Sequence, residues 1–210
     1  MEQLAKRAVL LRDSPPLFEC YDLGDGNRLQ TGSLPLELRL SAIQFETLWR
    51  LRPSEFDKIM MHGRLVPTPR WQQAYGKDYH YSGQVNEALP TPAILEPLIA
   101  WAKGQIDDRL NAILVNWYDG TLSHYIGRHR DNRANMLPGA PIVTISFGEE
   151  RIFRLRPWPS TRQGGVMDFP ARDGTVFVMP FETNLAWTHE VPASKKLRGR
   201  RISVTFRAFQ

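Results

Sequence analysis

The sequence predicts a mainly β protein with supporting helices: a sandwich or barrel core in the C-terminal half, covered by helices from the N-terminal half. Two patterns carry this expectation. After residue 111 the chain breaks into short β-rich runs separated by turn residues: AILVNWY, APIVTISFG, ERIFRLR, GGVMDF, GTVFVMP, NLAWTHEV and RRISVTFRAF. Such spacing favours an all-β core over alternating βαβ units. Before residue 111, LELRLSAIQFETLWRLRP (36–53) and TPAILEPLIAWAKGQIDDRL (91–110) carry helical apolar spacing.

The first helical pattern precedes an aromatic and basic stretch, RLVPTPRWQQAYGKDYHYSGQ (64–84), which has no clear period and is expected to be a surface loop or an irregular hairpin. In the second, Ile94, Leu95, Leu98, Ile99, Ala102 and Ile106 share one face behind a Thr91-Pro92 start, so this helix should cover the core. The 210 residues suit one domain with a sizeable interior. A net charge of +5 fits a polyanionic partner, because clustered Lys and Arg release counterions on meeting phosphates; it fits an ordinary basic protein equally well. The single cysteine, Cys20, excludes an intramolecular disulfide framework and a cysteine zinc cluster, so a reducing intracellular compartment is expected. MEQLAKRAVLLRDSPP has charges inside its apolar run and does not fit a secretory signal, and nothing reads as a membrane span.

Chemistry first shows in HYIGRHRDN (124–132). His129 and Asp131 stand two residues apart, which on extended backbone places imidazole and carboxylate on one side, able to hold one ion. A distant third ligand such as His189 would leave open positions, as suits a non-haem Fe(II) centre that binds a co-substrate and oxygen. Taken alone the signal is weak, and these residues more readily fit a turn histidine, a solvated loop acid and an edge histidine. His124 and His80 read as local hydrogen-bonding residues.

Two strands add weight. In RISVTFR (201–207) alternation puts Arg201, Ser203, Thr205 and Arg207 on one face and Ile202, Val204 and Phe206 on the other. Two guanidiniums sharing a face can bracket a small dicarboxylate. In NWY, Asn116 and Tyr118 share a face while Trp117 points into packing.

N-W-Y, H-R-D, a distal histidine and R-I-S-V-T-F-R, in this order, resemble the N-x-Y, H-x-D, H and R-x5-R of the AlkB family of Fe(II) and 2-oxoglutarate dependent dioxygenases, over residues 60–208. The resemblance implies a double-stranded β-helix, a jelly-roll or cupin-like barrel. It implies an N-terminal extension with a helix at 1–55 and a dioxygenase domain at 56–210, with substrate loops at 60–84 and the β-helix core at 111–208. His129, Asp131 and His189 would be the catalytic Fe(II) ligands; Asn116, Tyr118, Arg201, Thr205 and Arg207 would hold 2-oxoglutarate, with O2 as second co-substrate.

Within that family, PGAPIVTISFGEERIFRLR and PRWQQAYGKDYHYSG (69–83) resemble the branch that repairs duplex DNA. This implies oxidative removal of N-alkyl groups of the 1-methyladenine and 3-methylcytosine type, with release of formaldehyde. Tyr79 and Tyr81 would line the base pocket, and Arg64, Arg70, Arg128, Arg130, Arg133 and the run KKLRGRR (195–201), Arg201 excepted, would meet phosphates. Two positions depart from that branch: His62 replaces an aromatic finger, and Asn132 and Arg133 replace an acidic pair that reads the base. The expected partner is nucleic acid, DNA before RNA, with no membrane, for a monomer in the cytoplasm or nucleus. Open alternatives are a family member acting on RNA or protein, and a non-catalytic nucleic-acid-binding jelly-roll module.

Overall fold

The computed structural model describes residues 18–61, 63–81, 84–160 and 165–210. In chain order its strands are β1 (Phe18–Gly24), β2 (Asn27–Ser33), β3 (Lys58–Met61), β4 (Arg64–Pro67), β5 (Trp71–Tyr75), β6 (Tyr79–Tyr81), β7 (Gln84–Asn86), β8 (Ala112–Asp119), β9 (Ile126–His129), β10 (Ile142–Gly148), β11 (Arg151–Pro157), β12 (Met167–Ala171), β13 (Thr175–Met179), β14 (Trp187–Val191) and β15 (Arg200–Arg207). The helices are α1 (Ala42–Arg50), α2 (Glu96–Gln105) and α3 (Phe181–Ala186). A seven-stranded sheet runs β1-β2-β13-β10-β15-β8-β5, and a four-stranded sheet runs β12-β11-β14-β9. Neighbouring strands in both are antiparallel, as in the jelly roll that the sequence implies. Hairpins β3–β4 and β6–β7 stand beside them. No helix among the described residues is long and apolar enough to cross a membrane.

Alternation along the strands gives the large sheet two chemically different faces. On one, Ile202, Val204 and Phe206 of β15 join Val115 and Trp117 of β8, Val143 and Ile145 of β10 and Val176 of β13, packed against Leu48 and Trp49 of α1 and Leu98 and Ala102 of α2. Burying a residue such as Phe206 contributes about 1.5–3 kcal/mol. Trp117 also donates from Nε1 to the Leu48 carbonyl at 3.0 Å, which pins α1 to the sheet. A capping box starts α1: Gln44 N–H donates to the Ser41 hydroxyl, and Ser41 N–H donates to the Gln44 side chain. The other face meets the small sheet, where the rings of Phe153 and Phe177 lie 4.7 Å apart. With helices covering one face, the opposite face can carry polar side chains at the mouth of the barrel.

Several elements differ from the sequence expectation. Strands β1 and β2 fall inside the segment expected to be a helical extension, and β2 pairs with β13 through Gly32↔Val176 and Thr31↔Phe177. Residues 18–33 are therefore part of the sheet; residues 1–17 of that segment lie outside the described residues. The hairpin sits at the sheet edge and buries few apolar side chains, chiefly Leu23 and Leu29, so its period is faint. Helix α2 starts at Glu96 rather than at Thr91-Pro92, because residues 93–95 form a turn in which Leu95 N–H donates to the Pro92 carbonyl at 2.9 Å. In NLAWTHEV, Asn184 to Ala186 end α3, and the strand begins at Trp187. The stretch 64–84 is more regular than expected: β5 is the edge strand of the large sheet, beside β8. Its apolar alternation is broken by the buried Gln72, satisfied by Arg70 and Asp57.

Gly148 allows the close approach of β10 and β15. It pairs with Arg201, has φ +84°, and an added Cβ would collide with the Arg200 carbonyl and with Phe45. Gly148→Ala should lower the unfolding free energy by about 2–3 kcal/mol in urea denaturation.

Candidate active site

Strands β9 and β14 are neighbours in the small sheet, and their register sets His129 opposite His189, with ring centroids 4.2 Å apart. The chain leaves β9 after His129, and Asp131 turns inward so that its Oδ1 lies 3.5 Å from His129 Nε2 and 3.6 Å from His189 Nε2. The three donor atoms lie within 4.8 Å of one another. His129 Nδ1 lies 2.8 Å from the Gly127 carbonyl, which only accepts, so Nδ1 is the donor there and Nε2 is the ring nitrogen turned toward Asp131 and the ion site. Arg207 donates to Asp131 Oδ2 from Nε at 2.8 Å and Nη2 at 2.6 Å, leaving Oδ1 turned to the histidines, with the Tyr79 hydroxyl 3.5 Å from it.

Charge states follow from this packing. Burial pushes the Asp131 carboxyl up, but Arg207 and the two imidazoles outweigh it and hold it well below the usual carboxylate range. Burial, with His129 alongside, pushes His189 down to about 3. At neutral pH the site thus offers an ionised carboxylate beside a neutral His189, a donor set that fits a divalent cation with open coordination positions.

The sequence motifs do not contain Asn184 of α3, a fully buried residue. Asp131 N–H donates to Asn184 Oδ1 at 2.9 Å, and Asn184 Nδ2 donates to the Asp131 carbonyl at 3.1 Å. One side chain thereby holds both backbone groups of an ion ligand, from the helix that leads into the strand of His189. No local signal marks it, since an asparagine near a helix end is ordinary.

In front of the triad lies a cavity of about 450 Å³. One wall is the polar face of β8 and β15, which brings together Asn116, Tyr118, Arg201, Ser203, Thr205 and Arg207. Arg201 is buried at the far end: Nε donates to Ser146 Oγ at 2.8 Å, the guanidinium lies 5.0 Å over the Tyr118 ring, and Nη1 has no protein partner. A buried cationic donor beside a cavity suits a carboxylate. Arg207 stands at the other end of the wall and joins it to the ion site through Asp131. The residues therefore fit both Fe(II) and 2-oxoglutarate.

The substrate residues expected from sequence are placed unevenly. Tyr79 and Tyr81 stack at 5.4 Å and line the cavity, with Arg207 4.7 Å over the Tyr79 ring. Burial, and acids at Asp131 and Asp57 respectively, raise both phenols, which stay protonated donors. Arg70 corrects the expectation of a phosphate contact: it is 8% exposed, and its guanidinium donates to Asn116 Oδ1 and Gln72 Oε1, each at 2.7 Å. Arg70 holds Asn116 in place. Arg200, in the run KKLRGRR, is corrected likewise, because it pairs with Glu46 and lies over Phe45 and Trp49 on the outer face. Asn132 donates to the His80 carbonyl at 3.2 Å and orders its own loop. Arg133 is exposed in a groove with Arg128, Arg130 and Trp158, beside the triad. His124 accepts from Asp119 N–H at 3.1 Å, apart from the triad. His62 lies outside the described residues.

A β-helix holding two histidines, one carboxylate and a basic end defines a class of oxygenases. Residues 44–207 match the model of the 2OG-Fe(II) oxygenase superfamily, and the chain belongs to it. Membership implies Fe(II), 2-oxoglutarate and O2. The DNA oxidative demethylase ALKBH2 of Homo sapiens is 32% identical over 158 residues, covering 71% of this chain and 60% of that protein. Alpha-ketoglutarate-dependent dioxygenase alkB homolog 3 of Rattus norvegicus is 30% identical over 152 residues, covering 67% of this chain and 50% of that protein. The chain thus spans about half to two thirds of the curated relatives it matches. A solved structure of OsALKBH1 shares the fold, with a TM-score of 0.54 at 16% identity, covering 90% of this chain and 99% of that one.

Asn184→Ala should weaken Mn(II) binding by about tenfold or more in a calorimetric titration, because outer partners of a ligand typically carry that much affinity. Unchanged affinity would remove Asn184 from the site.

Proposed function

We propose that this chain is an Fe(II) and 2-oxoglutarate dependent oxidative demethylase that removes N-alkyl groups of the 1-methyladenine and 3-methylcytosine type from DNA. The observation that carries the reading is the convergence of His129, Asp131 and His189 at one end of a cavity whose wall holds Arg201 and Arg207. In this reading the triad ligates iron, and Asn116, Tyr118, Arg201, Thr205 and Arg207 hold 2-oxoglutarate. Iron with 2-oxoglutarate and O2 supplies the oxidising power to hydroxylate an N-methyl carbon, after which the substrate's hemiaminal releases formaldehyde.

The chain's own residues orient and select. A target base must leave its stack to enter the cavity, at a cost of a few kcal/mol. Stacking on Tyr81, itself backed by Tyr79, returns about 1–3 kcal/mol. A cationic methylated base gains further attraction from the ring face and already pairs poorly. Arg133, with Arg128 and Arg130 around Trp158, gives the strand's phosphates a basic groove beside the triad. The names of the ALKBH2 relatives support DNA as the substrate class. In this reading the protein acts as a monomer, and a DNA substrate supports an intracellular site of action, cytoplasmic or nuclear.

Formaldehyde release from 1-methyladenine in duplex DNA, single-stranded DNA and RNA, compared side by side, tests the reading. Turnover on DNA above RNA is expected, and His129→Ala should abolish it together with the Fe(II)-linked rise in thermal stability. Turnover on none of the three would contradict the demethylase reading. Turnover on RNA alone would move the substrate class.

A further inference from the structure

Arg151 opens β11 and is 1% exposed, yet its Nε, Nη1 and Nη2 all lack a hydrogen-bond partner in the protein. Glu149 Oε2 comes only to 3.6 Å from Nε and is itself without a hydrogen-bond partner. A guanidinium taken from water on these terms is destabilising, so its retention needs a physical reason.

Its place in the fold supplies one. Arg151, Phe153 and Leu155 are inward-facing residues of β11, and Phe153 lines the cavity. Gly148, just before that strand, pairs with Arg201, and Arg201 pairs with Tyr118. Arg151 therefore stands at the small-sheet end nearest Arg201 and Tyr118, behind the residues that line the cavity. Its charge is felt at Arg201, and Glu149, Tyr118 and Asp119 are the groups whose fields reach it. Two like charges buried near one another repel, and an anion received at Arg201 relieves the repulsion. Arg201 Nη1, also without a protein partner, is the donor that would take the anion.

We propose that Arg151 is a positioning and specificity residue for the co-substrate, a second positive charge behind Arg201 that makes this end of the cavity selective for a 2-oxoacid with a distal carboxylate. Arg207 stands at the other end of the wall, six residues along β15 and paired with Asp131. The proposal rests on the reading that Arg201 receives the distal carboxylate of 2-oxoglutarate.

The test is calorimetric titration of the full Mn(II)-loaded chain with 2-oxoglutarate and with 2-oxopentanoate, which has a methyl in place of the distal carboxylate. Arg151→Met should raise the 2-oxoglutarate Kd about tenfold while the 2-oxopentanoate Kd stays within about twofold, as expected for one unscreened charge. Arg151→Lys should recover most of the loss, and a turnover assay should show the effect in KM for 2-oxoglutarate rather than in kcat. Equal weakening of both ligands, or no change in either, would overturn the proposal. If Arg151→Met does not fold, Arg151→Gln and Arg151→Lys are compared in the same way. Binding of 2-oxoglutarate that survives Arg201→Met would overturn the co-substrate reading itself, a result distinct from failure at Arg151 alone.

Discussion

The buried ion pair between Arg207 and Asp131 is the interaction on which the site depends. It joins β15 of the large sheet to the turn after β9 of the small sheet, with Asp131 Oδ2 held by two nitrogens of one guanidinium. Losing one member of such a pair costs about 3–5 kcal/mol, because the other is left buried and charged. The same pair decides the chemistry. With Oδ2 occupied, Oδ1 alone faces the imidazoles; with a cation beside it, the carboxyl stays ionised despite burial.

The remaining parts follow from how one strand is used twice. The odd positions of β15 from 201 to 207 are polar and line the cavity, and the even positions are apolar and pack beneath α1 and α2. A slip of one residue in the β15–β8 register would exchange these faces and bury two arginines against the helices. Trp117, donating to α1 from the strand that presents Asn116 and Tyr118 to the cavity, makes the helix cover and the polar wall parts of one packing unit.

Residues whose placement follows from strand parity were legible in the sequence. Arg201, Thr205, Arg207, Asn116 and Tyr118 share a wall because alternation is local and survives folding. His129 and Asp131 were legible as a pair, and His189 joined them through order along the chain. What stayed hidden depends on long-range contacts. Asn184 matters because of where α3 docks; Arg70 reads as a surface cation until the buried Asn116 and Gln72 are seen to receive it. The β1–β2 hairpin gives only a faint sequence signal, although Asp25-Gly26, both left-handed with φ of 52° and 74°, is a recognised two-residue turn signal. Its strands are too polar to announce an edge position by apolar alternation.

If Asp131 is the shared member of the ion pair and the metal site, its charge, rather than its shape, is what the centre requires. Titrating Mn(II) into the wild-type chain and into Asp131→Asn, with free Mn(II) followed by electron paramagnetic resonance, tests this directly. The account predicts one equivalent bound by the wild type and none by Asp131→Asn. Equal binding by the two proteins would contradict it.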